Sequence, residues 1–517
     1  MRFWSLSHQV AVFSLVIAGV IGLAGIAGAQ DAPAPEAPDP AATTPAMMKD
    51  VNAAADAATA ATQRGDIAWM LVSTALVMLM VPGLALFYGG MVRRKNVLAT
   101  MMQSMVALAI VGVFWIGVGY SLAFGESQGG WIGWSPKLLF LAGVQPGDML
   151  PNTNIPIYLH VLFQGMFAII TPALISGALA ERIKFGPYCL FILIWVTLVY
   201  CPLAHWVWAM NWWDGTPDAG KNMVGFLGKM GALDFAGGTV VHIAAGLSGL
   251  AAIVVLRKRL GYPEHAFHPS SMVLTVLGAG LLWFGWFGFN GGSALGAGVD
   301  KTSALAVSAF AATQAAACAA ALSWLLAEWL HKGKPTALGL ASGVVAGLVA
   351  VTPASGFIPM WAGLAIGLIA GVVCYAAVCL KPVLKYDDSL DAFGVHGVGG
   401  FLGAVLTGVF CYKTINGAGA DGLVAGGGFG QIVTQLIASV VSVAFAFAIT
   451  IVLVKVIDLA LGFTTTDAAE TEGLDRTEHG EVGFDFSSGL DAIAPVKLPE
   501  PRPATAPRPA PTAAVRR

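Results

Sequence analysis

Two Asp-to-His units lie in otherwise uncharged, apolar stretches: Asp234 and His242 in DFAGGTVVHIAAG, and Asp391 and His396 in DAFGVHGVGG. Imidazole ordinarily titrates near neutrality, and its neutral form presents one hydrogen-bond donor and one acceptor. A pair therefore suits relaying a proton or escorting a small polar molecule through an apolar passage. A lone histidine on such a helix is ordinarily a satisfied core residue, whereas two at matched depth argue for a shared path. The aspartates have a structural role open to them, because a carboxylate at a helix start accepts free N–H groups and suits the positive dipole end. That role does not exclude a second one, since an outer carboxylate also attracts cations.

Aromatic residues form the other chemical signal: Phe163 and Phe167 in FQGMF, Trp206 and Trp208 in HWVW, and Trp283, Trp286, Phe287 and Phe289 in WFGWFGFNGGS. Most aromatics in an apolar chain are packing or interface-belt residues. Trp208 stands at a helix end, where an indole face attracts a cation by up to about 2 kcal/mol when desolvated. Belt placement is the alternative for it.

The elements that must position these residues are membrane spans. Of 517 residues, 57% are apolar and 11% charged, whereas a soluble domain carries about 25% charged residues. Runs of roughly 20 residues free of Lys, Arg, Asp and Glu recur, long enough to cross a bilayer core of about 30 Å as helix. Eleven such segments are expected, near 67–90, 97–123, 155–180, 185–208, 235–256, 271–292, 302–327, 336–352, 357–380, 391–411 and 431–461. The fold class is thus an all-α integral membrane protein with eleven transmembrane helices. Spans one to five and six to ten enter in opposite senses, the pattern of an inverted repeat of five plus five with an extra C-terminal helix. Asp234 precedes His242 by about 12 Å of helix and Asp391 precedes His396 by about 7.5 Å, which places both imidazoles near mid-membrane. Glycines recur every fourth residue at Gly339, Gly343 and Gly347 and at Gly363, Gly367 and Gly371, a spacing that lets helices pack closely and carries no chemistry.

Residues 1–29 read as a secretory signal peptide, with Arg2, an apolar core from Val10 to Ala27 and small residues before Gln30; a retained first helix is the competing reading. Residues 30–64, rich in Ala, Pro and Asp, read as a disordered periplasmic linker, and 65–463 as the eleven-helix membrane domain. Residues 464–517 form a C-terminal tail, disordered at its end, in which Glu472 to Phe486 either docks or stays solvated. Loops after odd-numbered spans hold twelve Lys and Arg, among them Arg93, Arg94, Lys95, Arg182, Arg257, Lys258 and Arg259, against five on the other side. The N-terminus is therefore expected in the periplasm and the C-terminus in the cytoplasm, the chain crossing the inner membrane. A net charge of −2 without a basic block excludes nucleic-acid binding. The six cysteines lack metal or disulfide spacing and read as small buried hydrophobes. No hydrolase or metalloprotease motif occurs, so an enzyme, a metal and a cofactor are not expected.

At PGLALFYGG (82–90), FQGMF (163–167), GALAERI (177–183), ALDFAGGTVVH (232–242), GWFGFNGGS (285–293) and FGVHGVGG (393–400), the chain closely resembles the ammonium transporter/Rhesus family, over about 66 to 486. The resemblance implies a homotrimer with one pore per subunit. It implies an outer ammonium site of Trp208, Phe167 and Ser293 supported by Asp234, a gate of stacked Phe167 and Phe289, and His242 and His396 as twin pore histidines. It further implies ammonium or ammonia as substrate, with methylammonium as a second candidate, and contact between EGLDRTEHGE and a PII-type regulatory protein. The chain departs from the family in residues 30–64, in a longer loop between Trp208 and Asp234, and after 490. An ammonium sensor signalling through the tail is the alternative, and an apolar lumen would not exclude carbon dioxide.

Overall fold

A computed structural model describes residues 45–297 and 304–484. Eleven apolar helices succeed one another: α1 Pro45–Met91, α2 Arg94–Phe124, α3 Ile157–Leu179, α4 Phe185–Trp208, α5 Gly238–Val255, α6 Met272–Gly292, α7 Leu305–Lys332, α8 Ala337–Val351, α9 Met360–Leu384, α10 Phe393–Phe410 and α11 Gly430–Leu461. Among the described residues ten of these are long and apolar enough to cross a membrane, and α8 is a shorter apolar helix. The sequence expectation of eleven spans includes α8. The chain is a multi-pass helical membrane protein.

The first helix differs from expectation. Its 47 residues reach about 70 Å at 1.5 Å per residue, more than twice a bilayer core. Residues 45–64, read from composition as part of a disordered linker, are helical, and 48–64 lie almost wholly exposed. Alanine has the highest helix propensity, and a segment continuing an existing span needs no new nucleus. The signal peptide and residues 30–44 lie outside the described residues.

The glycine rows pack as their spacing implies. Gly343 and Gly347 of α8 abut Ala316, Ala320 and Ala321 of α7, and Gly363, Gly367 and Gly371 of α9 press on the same face at Ala312, Ala316 and Ala320. Small residues on three helices let the backbones meet where lipid offers no hydrophobic drive for association. A buried polar knot adds to this: Trp195 Nε1 donates to Ser248 Oγ at 2.9 Å and Thr450 Oγ1 at 3.1 Å, joining α4, α5 and α11. All six cysteines are free, and Cys201, Cys374 and Cys411 are buried.

At the end of the bundle opposite Trp208, the loops converge on buried ions. Arg259 bonds Glu181 at 2.8 Å and Asp387 at 2.7 Å, Arg182 bonds Asp387 at 2.7 Å, and Arg93 reaches Glu181 at 2.9 Å. Burial alone would raise these carboxyls. Arg259 and Arg93 instead hold Glu181 below the usual carboxylate range, and Arg182 and Arg259 do the same for Asp387. The C-terminal segment docks here as two short helices, α12 Asp467–Glu472 and α13 Leu474–His479. Glu470 receives Arg257 at 2.8 Å, Asp475 accepts from Ala99 N–H at 2.9 Å, and Glu478 accepts from Phe185 N–H at 2.9 Å. Of the two readings of this segment, docking holds as far as residue 484.

Candidate functional site

The Trp208 end is built on backbone. After α4 stops at Trp208, the chain returns through residues 209–233 to Asp234, whose carboxylate accepts from Gly237 (2.8 Å), Gly238 (2.7 Å), Thr239 (2.8 Å) and Val240 (3.1 Å) N–H groups. Those are the N–H groups that a helix start leaves without partners, and a buried carboxylate suits that dipole end. Gly237 holds φ 111°, a left-handed conformation that glycine adopts without Cβ strain. The Asp234 carbonyl accepts the Trp208 indole N–H at 2.7 Å. Asp234 therefore reaches Trp208 through its main chain, while its carboxylate organises the start of α5.

Five rings then form a column. Phe167 meets Trp208 edge-on at 6.1 Å and stacks on Phe289 at 4.0 Å and 17°. Phe289 lies 6.2 Å from His242, and His242 lies 5.3 Å from His396 at 27°. Phe167 and Phe289 are fully buried and the two histidines nearly so, whereas Trp208 is half-buried. Ser293 closes α6 one turn beyond Phe289, its hydroxyl donating to the Phe289 carbonyl at 2.8 Å. Phe163 packs against Phe167 at 5.0 Å. Trp206 and Phe287 belong elsewhere: Trp206 bonds the Trp131 carbonyl and Phe287 stacks on Phe310 of α7.

The imidazoles face one another because their helices touch. A Cβ on Gly246 would lie 2.2 Å from Gly397 N, and one on Gly400 would lie 2.9 Å from His242 Cβ. Both histidines sit in π-helical turns, Gly238–Ile243 and Phe393–Gly397, a wide form rare in proteins and frequent at functional positions. Their Nδ1 atoms are 3.3 Å apart. That contact needs a proton on one Nδ1 only, so one ring offers a lone pair at Nε2 and the other an N–H. The Nε2 of His242 is buried without a partner.

Both rings line one narrow lumen, otherwise walled by apolar side chains including Met80, Leu84, Ile170, Leu174, Leu282 and Val345. Its free space for a water-sized sphere is about 10 Å³, room for about one such molecule. A second cavity of the same size continues towards the tail end, sharing Phe87, Val345 and His396 and adding Tyr88, Ser342 and Asp391. No cluster able to hold a metal ion occurs among the described residues.

The sequence reading placed a capping role on Asp391, and the structure corrects it. Asp388 is the cap: it accepts from Ala392 at 3.1 Å and Phe393 at 2.8 Å, whereas Asp391 pairs with Lys381 at φ 61°. Asp388 precedes His396 by eight residues, the same interval that separates Asp234 from His242, and that equality was the available signal. Trp286 was noted only as one aromatic among several. It stacks on His242 at 5.4 Å and 23°, its indole N–H donating to Thr352 Oγ1 at 2.9 Å, and no local sequence pattern signals that pairing between separate helices.

Comparison with known proteins agrees with this architecture. The family model described as Ammonium Transporter Family matches residues 68–484. The chain is 46% identical over 428 residues to an ammonium transporter of Bacillus subtilis (strain 168), covering 82% of this chain and 100% of that one. It is 43% identical to ammonium transporter Amt1 of Archaeoglobus fulgidus, over 81% of this chain and 99% of the relative. Among solved structures, Saccharomyces cerevisiae Mep2 superposes with a TM-score of 0.69 at 35% identity, covering 78% of this chain and 87% of that one. A structure titled "Sensor Amt Protein" gives 0.72 at 27% identity, over 81% and 99%. The chain belongs to the ammonium transporter family, whose members are membrane transporters and not enzymes.

Proposed function

We propose that this chain recruits ammonium at Trp208, Phe167 and Ser293, strips a proton from it at the Phe167–Phe289 gate, and conducts ammonia past His242 and His396. The observation that carries this reading is two imidazoles 3.3 Å apart in a single apolar lumen behind a stacked aromatic pair. Ammonium and potassium are close in size, so a sizing filter cannot separate them. Taking an intact ion into such a lumen costs on the order of tens of kcal/mol by Born solvation, while ammonia forgoes a few hydrogen bonds that a wall group can replace. A donor and an acceptor on the paired rings match what ammonia lost, and the released proton travels separately or with it.

In this reading α8 completes eleven spans, with the Trp208 end in the periplasm and the docked tail in the cytoplasm of the inner membrane. The equal Asp-to-His intervals at the starts of α5 and α10 support an inverted repeat of α1–α5 and α6–α10. A cleaved signal peptide, a homotrimer and a PII-type partner at the tail belong to the same proposal. Likeness to the structure titled "Sensor Amt Protein" favours a second reading, an ammonium sensor with the docked tail as output. Electrical recording from liposomes holding the purified protein, with ammonium set against potassium, tests the first. Ammonium currents without potassium currents are expected; a protein that passes neither current nor neutral ammonia leaves the sensor reading.

A further inference from the structure

The last span carries one buried side chain that bonds to both histidine-bearing segments. Gln435 of α11, 2% exposed, accepts from the Leu233 N–H at 2.7 Å and donates to the carbonyls of Leu233 at 2.7 Å and Ala404 at 3.0 Å. A carboxamide is the uncharged side chain that offers an acceptor and two donors in one plane, so it satisfies both polar groups of a peptide as a neighbouring strand would. Only one placement of its oxygen and nitrogen fits these three partners. Leu233 directly precedes Asp234, whose carbonyl holds Trp208 and whose carboxylate organises the turn bearing His242. Ala404 lies eight residues after His396 on α10.

We propose that Gln435 is a positioning residue for transport, fixing the separation of the His242 and His396 rings and the seat of Trp208 from a helix that contributes no ring to the column. The inference rests on the transport reading above. The separation matters because the paired Nδ1 contact fails if the two helices shift by a fraction of a hydrogen bond, and hydrogen bonding weakens steeply outside its narrow geometric range. Gly246 and Gly397 bring the helices into contact but set no register along it. Gln435 supplies that register, since one rigid amide grips a fixed peptide on each side. Nearby Gln431, more exposed, bonds the Gly231 carbonyl at 2.9 Å and donates to the Gln435 oxygen at 3.4 Å; its removal leaves the three backbone bonds of Gln435 in place, so it serves as a control.

The test uses the full-length protein in liposomes, comparing wild type with Gln435→Leu, Gln435→Asn and Gln431→Leu. Asparagine keeps the amide but is one methylene too short for all three partners. The expected result for folded, monodisperse Gln435→Leu is a maximal ammonium rate at least tenfold lower, a half-saturation concentration at least threefold higher and an altered ratio of ammonium to methylammonium rates, with Gln431→Leu within twofold of wild type. A merely structural glutamine would lower yield and melting temperature and leave both transport parameters unchanged per folded protein. That result overturns the proposal, and so does failure of both Gln435 variants to fold. If Gln435→Leu alone fails to fold, Gln435→Asn decides by the same limits. A wild type that carries no ammonium defeats the transport reading, whereas an active wild type with unaltered variants defeats this inference alone.

Discussion

Asp234 and Asp388 stand eight residues before His242 and His396 respectively, yet their surroundings differ. Four backbone N–H groups hold the Asp234 carboxylate, and its neighbour is the uncharged indole of Trp208. Asp388 receives two N–H groups, and Lys381 bonds its carbonyl at 2.9 Å while pairing with Asp391. Burial pushes the Asp388 carboxyl up to about 6, with Lys381 opposing and Asp391 adding to the rise. The same helix-start device therefore stands beside an uncharged indole at the Trp208 end and beside a Lys381–Asp391 ion pair at the tail end.

Substitution breaks this comparison most severely at the caps. Asp234→Ala removes four charge-assisted hydrogen bonds, each worth about 1.5–3 kcal/mol, and should lower ammonium flux at least about 100-fold. Asp388→Ala removes two and should lower it about tenfold. Equal losses in a liposome flux assay would erase the distinction between the two ends. Phe289→Leu forfeits a stacked pair worth about 0.5–1.5 kcal/mol and should change the maximal rate by about three- to tenfold while admitting detectable potassium. Lys381→Met leaves Asp391 without its partner and should sharpen the comparison from the other side. The ratio of inward to outward ammonium flux, measured with reversed gradients, should fall about twofold; an unchanged ratio would remove Lys381 from the account.

The smallest effect concerns stability. Glu181 and Asp387 are held below their ordinary range, so the stability they contribute is present above about pH 4. It is lost as pH falls through their depressed folded values. Melting temperature in detergent should drop below about pH 4, with Glu181→Gln flattening part of the drop. A drop beginning at pH 6 would contradict that assignment.

Much of this was legible in the sequence because lipid imposes strong rules. Uncharged runs reported the spans, glycine spacing reported that α8 and α9 pack closely, and a buried histidine in such a run had to be explained. What sequence concealed was angular and tertiary. Asp391 looked like the cap because it is the nearer carboxylate in DAFGVHGVGG, but Lys381 from the preceding helix claims it and leaves Asp388 to the free N–H groups. Trp286 could be assigned to His242 only once α6 was rotated against α5. Gln435 lies about 200 residues from Leu233, beyond any local pattern. Residues 45–64 were misread because a compositional rule for disorder overlooks alanine's helix propensity when a span already supplies the nucleus.

Electrical recording from liposomes containing the protein with His242→Leu and His396→Leu combined bears most directly on deprotonation within the lumen. The account predicts that ammonium currents seen with wild type vanish in a variant that remains folded, leaving at most slow electroneutral ammonia leakage. Ammonium currents of wild-type size, still excluding potassium, would contradict it.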